Sequence, residues 1–405
     1  MSGIDDHHQD QASVARRTFL QQSAGLGLGL AALGLSGGPA SAASASTSSG
    51  LAAAGGPRAA RPLIIDALGG IDNPNLPQAE RDDPRTMGID ARALADARAA
   101  GLSAFNMTVG YVYGDDDPYQ QSIREVAAWD ALIARQPDAL LKVLKAADIV
   151  RARDSGRLGV ILGFQNAAMM GEDAHCVDTF AQRGVRVIQL TYNGANQLGD
   201  GAMAPANRGL SPFGREVVQA LDHNRVLIDL SHSGERTCLD AAAASLRPVA
   251  ITHTGCRAVA DLPRNKSDRE LRMVAERGGF VGIYFMPFLA AGRQPMVADL
   301  LAHIEHALQV CGEDHVGLGT DGTVCAIDDM PGYLRALEQE VRERRASGVG
   351  ATGERADIVP FLPDLSGPEK FWTLADLLAR RGHSSSRIEK ILGLNFLRVA
   401  GDVWG

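Results

Sequence analysis

From Pro62 onward, short apolar runs alternate with amphipathic or Ala/Leu-rich stretches, and they do so eight times. The runs are Leu63–Leu68, Ala104–Val109, Leu158–Phe164, Val185–Leu190, Val226–Leu230, Val249–Thr252, Phe280–Phe285 and Val316–Gly319. Segments between them, such as Ala91–Ala99, Ser122–Ile149, Phe213–His223, Cys238–Ala244 and Met296–Val310, read as helices. A continuous apolar run of this length fits a strand buried on both faces, as in a parallel sheet. Strand–helix repeated eight times predicts a (β/α)8 TIM barrel. The alternative is an open doubly wound sheet, but no G-x-G-x-x-G follows the first strand.

In such a barrel the chemistry collects at the carboxyl ends of the strands. Those ends carry Leu68, Asn106, Gln165, Tyr192-Asn193, His232, His253, Tyr284 and Asp321. One histidine at a strand end is commonly a satisfied core residue. Two on consecutive strands, with an aspartate on the eighth, point to a metal centre, the alternative being a metal-free polar pocket. Neutral imidazole binds zinc through one ring nitrogen while a neighbour orients the other. A nearby carboxylate can then take the proton of a water whose pKa the metal lowers toward ~7. The other histidines read as bystanders: His303, His306 and His315 on or beside the last amphipathic helix with solvated faces, His175 and His223 at helix ends, His383 in a surface loop.

A net charge of −8 without any Lys/Arg cluster argues against a nucleic-acid partner. Cys176, Cys238, Cys256, Cys311 and Cys325 form no C-x-x-C pair and read as buried thiols. The N-terminus reads as a twin-arginine signal peptide over residues 1–42. Arg16-Arg17-Thr18-Phe19-Leu20 precedes an apolar run from Ala24 to Leu35 and an A-x-A-type cleavage site, Pro39-Ala40-Ser41-Ala42. That run is too short to span a bilayer as a stable anchor. It predicts export by the twin-arginine machinery, to the periplasm or beyond, with membrane association if the signal is kept. Residues 43–61 read as a flexible Ala/Ser/Gly linker and 62–405 as a single barrel domain with C-terminal helices.

With these features the chain resembles the membrane (renal) dipeptidase family of zinc peptidases, a branch of the metal-dependent, amidohydrolase-like barrels. The resemblance runs through "GVILGFQNA", "VIQLTYNGANQLGDG", "LIDLSHSG", "PVAITHTGCRAVADLPRN", "HVGLGTDG" and the tail "LADLLARRGHSSSRIEKILGLNFLRV". It implies a hydrolase that cleaves a dipeptide or similar small amide by metal-activated water. His232 and His253 match the histidines of the family's second zinc site. Arg264 in "LPRN" matches the arginine that grips the substrate carboxylate, and Asp321 the aspartate that handles protons. Tyr192 stands where the family has a histidine near the scissile carbonyl, and with Asn193 and Tyr284 it is a candidate substrate or oxyanion contact. The family often dimerises, so the resemblance also raises a homodimer.

Two departures matter. The family's first-strand His-x-Asp falls on Leu68 and Gly70, and its bridging glutamate on Gln165. Two zinc ions close together repel, and anionic ligands offset that repulsion. Without them, one zinc ion is expected rather than two, with His232, His253, Asp321 and Gln165 as the metal-site candidates. Three readings stay open here. The first is a one-metal hydrolase with Asp321 as third ligand or base. The second is an inactive fold that binds a small amino-acid-like ligand. The third is a conventional two-metal dipeptidase whose missing ligands come from Asp66, Asp72 or the turn Asp115-Asp116-Asp117. The Gly-rich loop "GANQLGDGAMAPANRG" reads either as a mobile flap or as an inert surface loop.

Overall fold

The computed structural model describes residues 62–405; the leader and linker expected over residues 1–61 lie outside the described residues. Eight parallel strands form the barrel: β1 Ile64–Asp66, β2 Leu102–Thr108, β3 Leu158–Phe164, β4 Val185–Gln189, β5 Leu227–Asp229, β6 Ala250–Thr254, β7 Phe280–Ile283 and β8 Val316–Leu318. Each pairs with the next in chain order. The sheet closes on itself where Ala67 N–H donates to Leu318 O (3.0 Å) and Asp321 N–H to Leu68 O (2.8 Å). The barrel expected from the eight apolar runs is therefore the fold.

One expectation fails. Ser122–Ile149 is not a single helix but a helix Pro118–Arg135, a short strand Leu140–Lys142 and a second helix Ala146–Ser155. Pro137 disfavours helical backbone at Gln136, which sits at φ −124°, ψ 52°. The freed segment then pairs with the first half of β3, while the second half of β3 pairs with β4.

Alternation along the strands fills the barrel with Leu63, Ile65, Ala104, Ile161, Val187, Leu227, Ala250 and Phe280. The C-terminal helix Asn395–Trp404 plugs the end where the strands begin, packing Phe396, Val399, Val403 and Trp404 into the same cluster. That end is sealed, which leaves the opposite face open for a site. Helix starts are set by side-chain caps, as at Ser211 for Pro212–His223 and at Ser267 with Glu270 for Asp268–Glu276. A long helix after β8, Met330–Ala346, and the chain following it wall the open face.

Candidate active site

The ends of β5 and β6 are tied together by one buried aspartate. Asp229 accepts four hydrogen bonds, from the N–H groups of Ser231 and Thr252 (3.0 Å each) and from their hydroxyls (2.5 Å each). Burial raises its pKa while those four donors pull the other way. Ser231 Oγ in turn accepts the His253 N–H at 3.1 Å. His253 is thus positioned by a network that meets its ring only at Thr252 Oγ1, and His232 by its neighbour Ser231 in the same network.

The rings face each other, with Nε2 to Nε2 at 3.0 Å. Both are held neutral, well below the ordinary histidine range. Burial is the main cause, followed for both rings by the nearby charge of Arg264, with Lys266 adding to it. Their protons can be counted. Asn193 Nδ2 donates to Val349 O (2.8 Å), so its Oδ1 is the atom facing His232 Nδ1 at 2.7 Å. Nδ1 therefore carries the proton and Nε2 a lone pair. Thr252 gives its only hydroxyl proton to Asp229, so His253 Nδ1, at 2.9 Å from Thr252 Oγ1, donates to it. His253 Nε2 is then also a lone pair.

Two lone pairs turned on each other call for a cation. Arg264 Nη2 approaches His232 Nε2 at 3.3 Å while Nη1 donates to Ser231 O at 2.7 Å. The donor pair also fits a metal ion: tetrahedral zinc with bonds of ~2.0–2.1 Å separates two nitrogens by ~3.3 Å. Among the described residues no group of three or more His, Cys, Asp or Glu side chains is gathered for a metal. The facing pair offers such an ion two protein nitrogens.

A second ion finds no such donors. Leu68 and Gly70 offer no side-chain ligand atom, and Gln165 gives its amide nitrogen to Thr108 Oγ1 at 2.7 Å, leaving a neutral oxygen. Two of the alternative carboxylates are engaged elsewhere. Asp66 accepts from the Thr320 N–H (2.7 Å) and hydroxyl (2.6 Å), and Gly69 is needed beside it because a Cβ there would lie 2.2 Å from Asp66 Oδ2. Asp72 is buried against the charge of Arg81, its carboxyl pushed up to about 7 by that burial.

A cleft of about 740 Å³, counted out to open solvent, brings together Gln165, Tyr192, Asn193, His232, Arg264 and Asp321. His253 reaches it through His232. Asp321 has φ 57°, the left-handed region that few side chains adopt. Burial pushes its carboxyl up to about 7 against the pull of Arg264, so it exchanges protons near neutrality. Tyr192 stacks on His232 with centroids 4.3 Å apart.

Tyr284 is placed differently from the expectation. It is fully buried, and its hydroxyl donates to Asn265 Oδ1 at 2.5 Å, so its ring backs Arg264 (5.9 Å) instead of lining the cleft. His303, expected on a solvated face, is fully buried between the Cys256 N–H and Leu289 O. The Gly-rich loop is no loose flap: Ala202 N–H donates to His232 O (2.7 Å), Met203 N–H to Asn193 O (2.8 Å), and Asp200 binds Arg208 (2.7 Å).

The ionisable groups that the Met330–Ala346 helix and the chain after it bring to the cleft, Glu340, Arg344, Glu354 and Arg355, went unread in the sequence, as did the apolar lining beside them. Arg344 is buried, holds both Glu354 oxygens at 2.8 and 2.7 Å, and hydrogen-bonds Tyr192 and Tyr113. Its signal was available, because Arg344 continues the stripe Tyr333–Leu337–Val341 at helical spacing, but the run Arg342-Glu343-Arg344-Arg345 looks like a solvated face.

The comparisons with known proteins agree with this geometry. The family model "Membrane dipeptidase (Peptidase family M19)" matches residues 74–349. The chain belongs to the membrane dipeptidase family. As a member it is a hydrolase of the metallo-dipeptidase kind, and metal dependence comes with the family. It is 27% identical to "Dipeptidase tcpJ" of Claviceps purpurea over 331 residues, 78% of this chain and 69% of that protein. It is 30% identical to an "Uncharacterized protein in pqqA 5'region" of Klebsiella pneumoniae over 57% of this chain and 90% of that one. The crystal structure of an amidohydrolase from Pseudomonas aeruginosa superposes with a TM-score of 0.72 at 30% identity, covering 85% of this chain and 98% of that one.

Proposed function

We propose that this dipeptidase-family hydrolase is exported by the twin-arginine route and cleaves a dipeptide or similar small amide with a single zinc ion held by His232 and His253. The observation that carries the reading is the facing pair of Nε2 lone pairs at 3.0 Å, each ring fixed by a partner on its Nδ1. When bound, the ion supplies Lewis-acid polarisation of the scissile carbonyl and lowers the pKa of the attacking water. Asp321, titrating near neutrality, accepts the water's proton and returns it to the leaving amine. Arg264 presents its guanidinium edge to a terminal carboxylate. Tyr192 and Asn193 hold His232 in place and edge the substrate. Gln165 contributes a neutral oxygen beside the first-site position, not a charge.

Metal analysis of the mature protein, purified without chelator, tests this. One equivalent of zinc is expected, lost in His232→Ala/His253→Ala together with turnover of a dipeptide panel. Two equivalents, or turnover that survives the double substitution, sink the one-metal reading. No metal and no turnover leave the binding-protein alternative, in which Arg264 itself serves as the cation beside His232.

A further inference from the structure

The cleft has two unlike kinds of lining. The strand-end groups are polar; the apolar lining is Met286 and Phe288 on the loop after β7, Leu337 and Val341 on the helix Met330–Ala346, and Ile358 and Pro360 beyond that helix. Leu337 and Val341 stand one turn apart on the inner face of the helix Met330–Ala346 and are both nearly fully buried, whereas Arg342 and Arg345 point outward. Charges beside this lining are compensated. Arg344 is bridged by both oxygens of Glu354, and Arg355 binds Asp357 at 2.8 and 2.6 Å. Burial pushes the Glu340 carboxyl up to about 8 against the charge of Arg344.

We infer that this apolar lining is a specificity subsite that takes a branched or aromatic apolar side chain of the substrate and rejects acidic and basic ones. The inference rests on the peptide-hydrolase reading above and names the substrate class for it. A leucine or phenylalanine side chain leaving water for such a lining gains roughly 10- to 100-fold in affinity. A carboxylate or ammonium placed there is desolvated with its possible counter-charges already paired.

The test gives full-length zinc-loaded protein dipeptides varied at each position among Leu, Phe, Gly, Asp and Lys. It reads kcat/KM and, separately, the shift in melting temperature at one ligand concentration. Leu and Phe at one position are expected to exceed Asp and Lys at least tenfold in kcat/KM and to give the larger shifts. Val341→Asp is expected to lower the Leu-to-Lys ratio at least tenfold. If that variant does not fold, Leu337→Ala lowers the same ratio. Equal handling of Leu, Asp and Lys at both positions overturns the inference, as does an unchanged ratio in a folded variant. Absent turnover counts against the hydrolase reading alone, because the melting shifts still rank the side chains. No shift with any dipeptide overturns the subsite.

Discussion

Asn193 accepts the Nδ1 proton of His232 at 2.7 Å while its own amide nitrogen donates to Val349 O at 2.8 Å. A residue after β4 thereby decides which nitrogen of a β5-end histidine faces the cleft. The chain after the Met330–Ala346 helix decides which way that amide points. Such outer partners fix the tautomer and orientation of a metal ligand. Asn193→Ala is therefore expected to weaken zinc binding about 10- to 100-fold, measured by competition with a chromophoric chelator. Asn193→Asp still accepts the proton and should recover most of the loss. Equal affinity in all three proteins would refute the relay.

Asp321 combines a raised pKa with left-handed backbone in the lining of the cleft. Removing the carboxylate is expected to reduce kcat by ~10²–10⁴. Comparing Asp321→Gly with Asp321→Ala isolates the backbone, since both lack the carboxylate and only alanine keeps a Cβ at φ 57°. The glycine variant should be more stable by about 1 kcal/mol in urea denaturation. Equal stability would mean that the conformation carries no strain.

Lys266 and Glu270 form an ion pair at 3.0 Å with side chains only 2% and 0% exposed, beside the histidines whose pKa Lys266 helps to lower. Removing one partner strands a buried charge, so Glu270→Ala is expected to cost ~3–5 kcal/mol. The neutral pair Lys266→Met/Glu270→Gln should recover much of it. A single variant as stable as the parent in chemical denaturation would show that the pair is not held as drawn.

Strands and strand ends were legible because their periodicity and their polar last residues are local signals. Leu158–Phe164 is predicted and found with the same limits, and His232 and His253 meet as two strand-end histidines should. The break at Pro137 was missed because the flanking Ala/Leu composition favours helix on both sides, and only pairing with β3 makes Leu140–Lys142 a strand. Tyr284 was misplaced for a different reason. Being at a strand end does not say whether a side chain turns into the cleft or behind it, and here the turn is set by Asn265, nineteen residues earlier in the chain. Arg344 is the converse case: a charge in a charged run, buried only because Glu354, Tyr192 and Tyr113 surround it. Partners distant in sequence decide these positions, and one chain does not display them.

Asp66 and Lys370 give the fold a pH signature of its own. Burial raises Asp66 from 3.8 to about 6, and burial lowers Lys370 from 10.5 to about 8, each partly offset by the other's charge. For Asp66, the folded form binds the extra proton, so its contribution to stability is full below 3.8 and lost as pH rises through about 6. For Lys370 the contribution is full above 10.5 and lost as pH falls through about 8. Both are charged and buried between about 6 and 8, so stability has a trough there, on the order of 3 kcal/mol deep for a two-unit shift. Asp66→Asn/Lys370→Met removes both titrations, while the lost Lys370 bond to Thr323 O (2.8 Å) shifts its stability equally at every pH. In urea titrations run with excess chelator, so that metal linkage drops out, the parent should lose stability relative to the variant between pH 4 and 6. It should regain that stability between pH 8 and 10. A difference that stays flat across that range would show that the two groups are solvated instead of buried together.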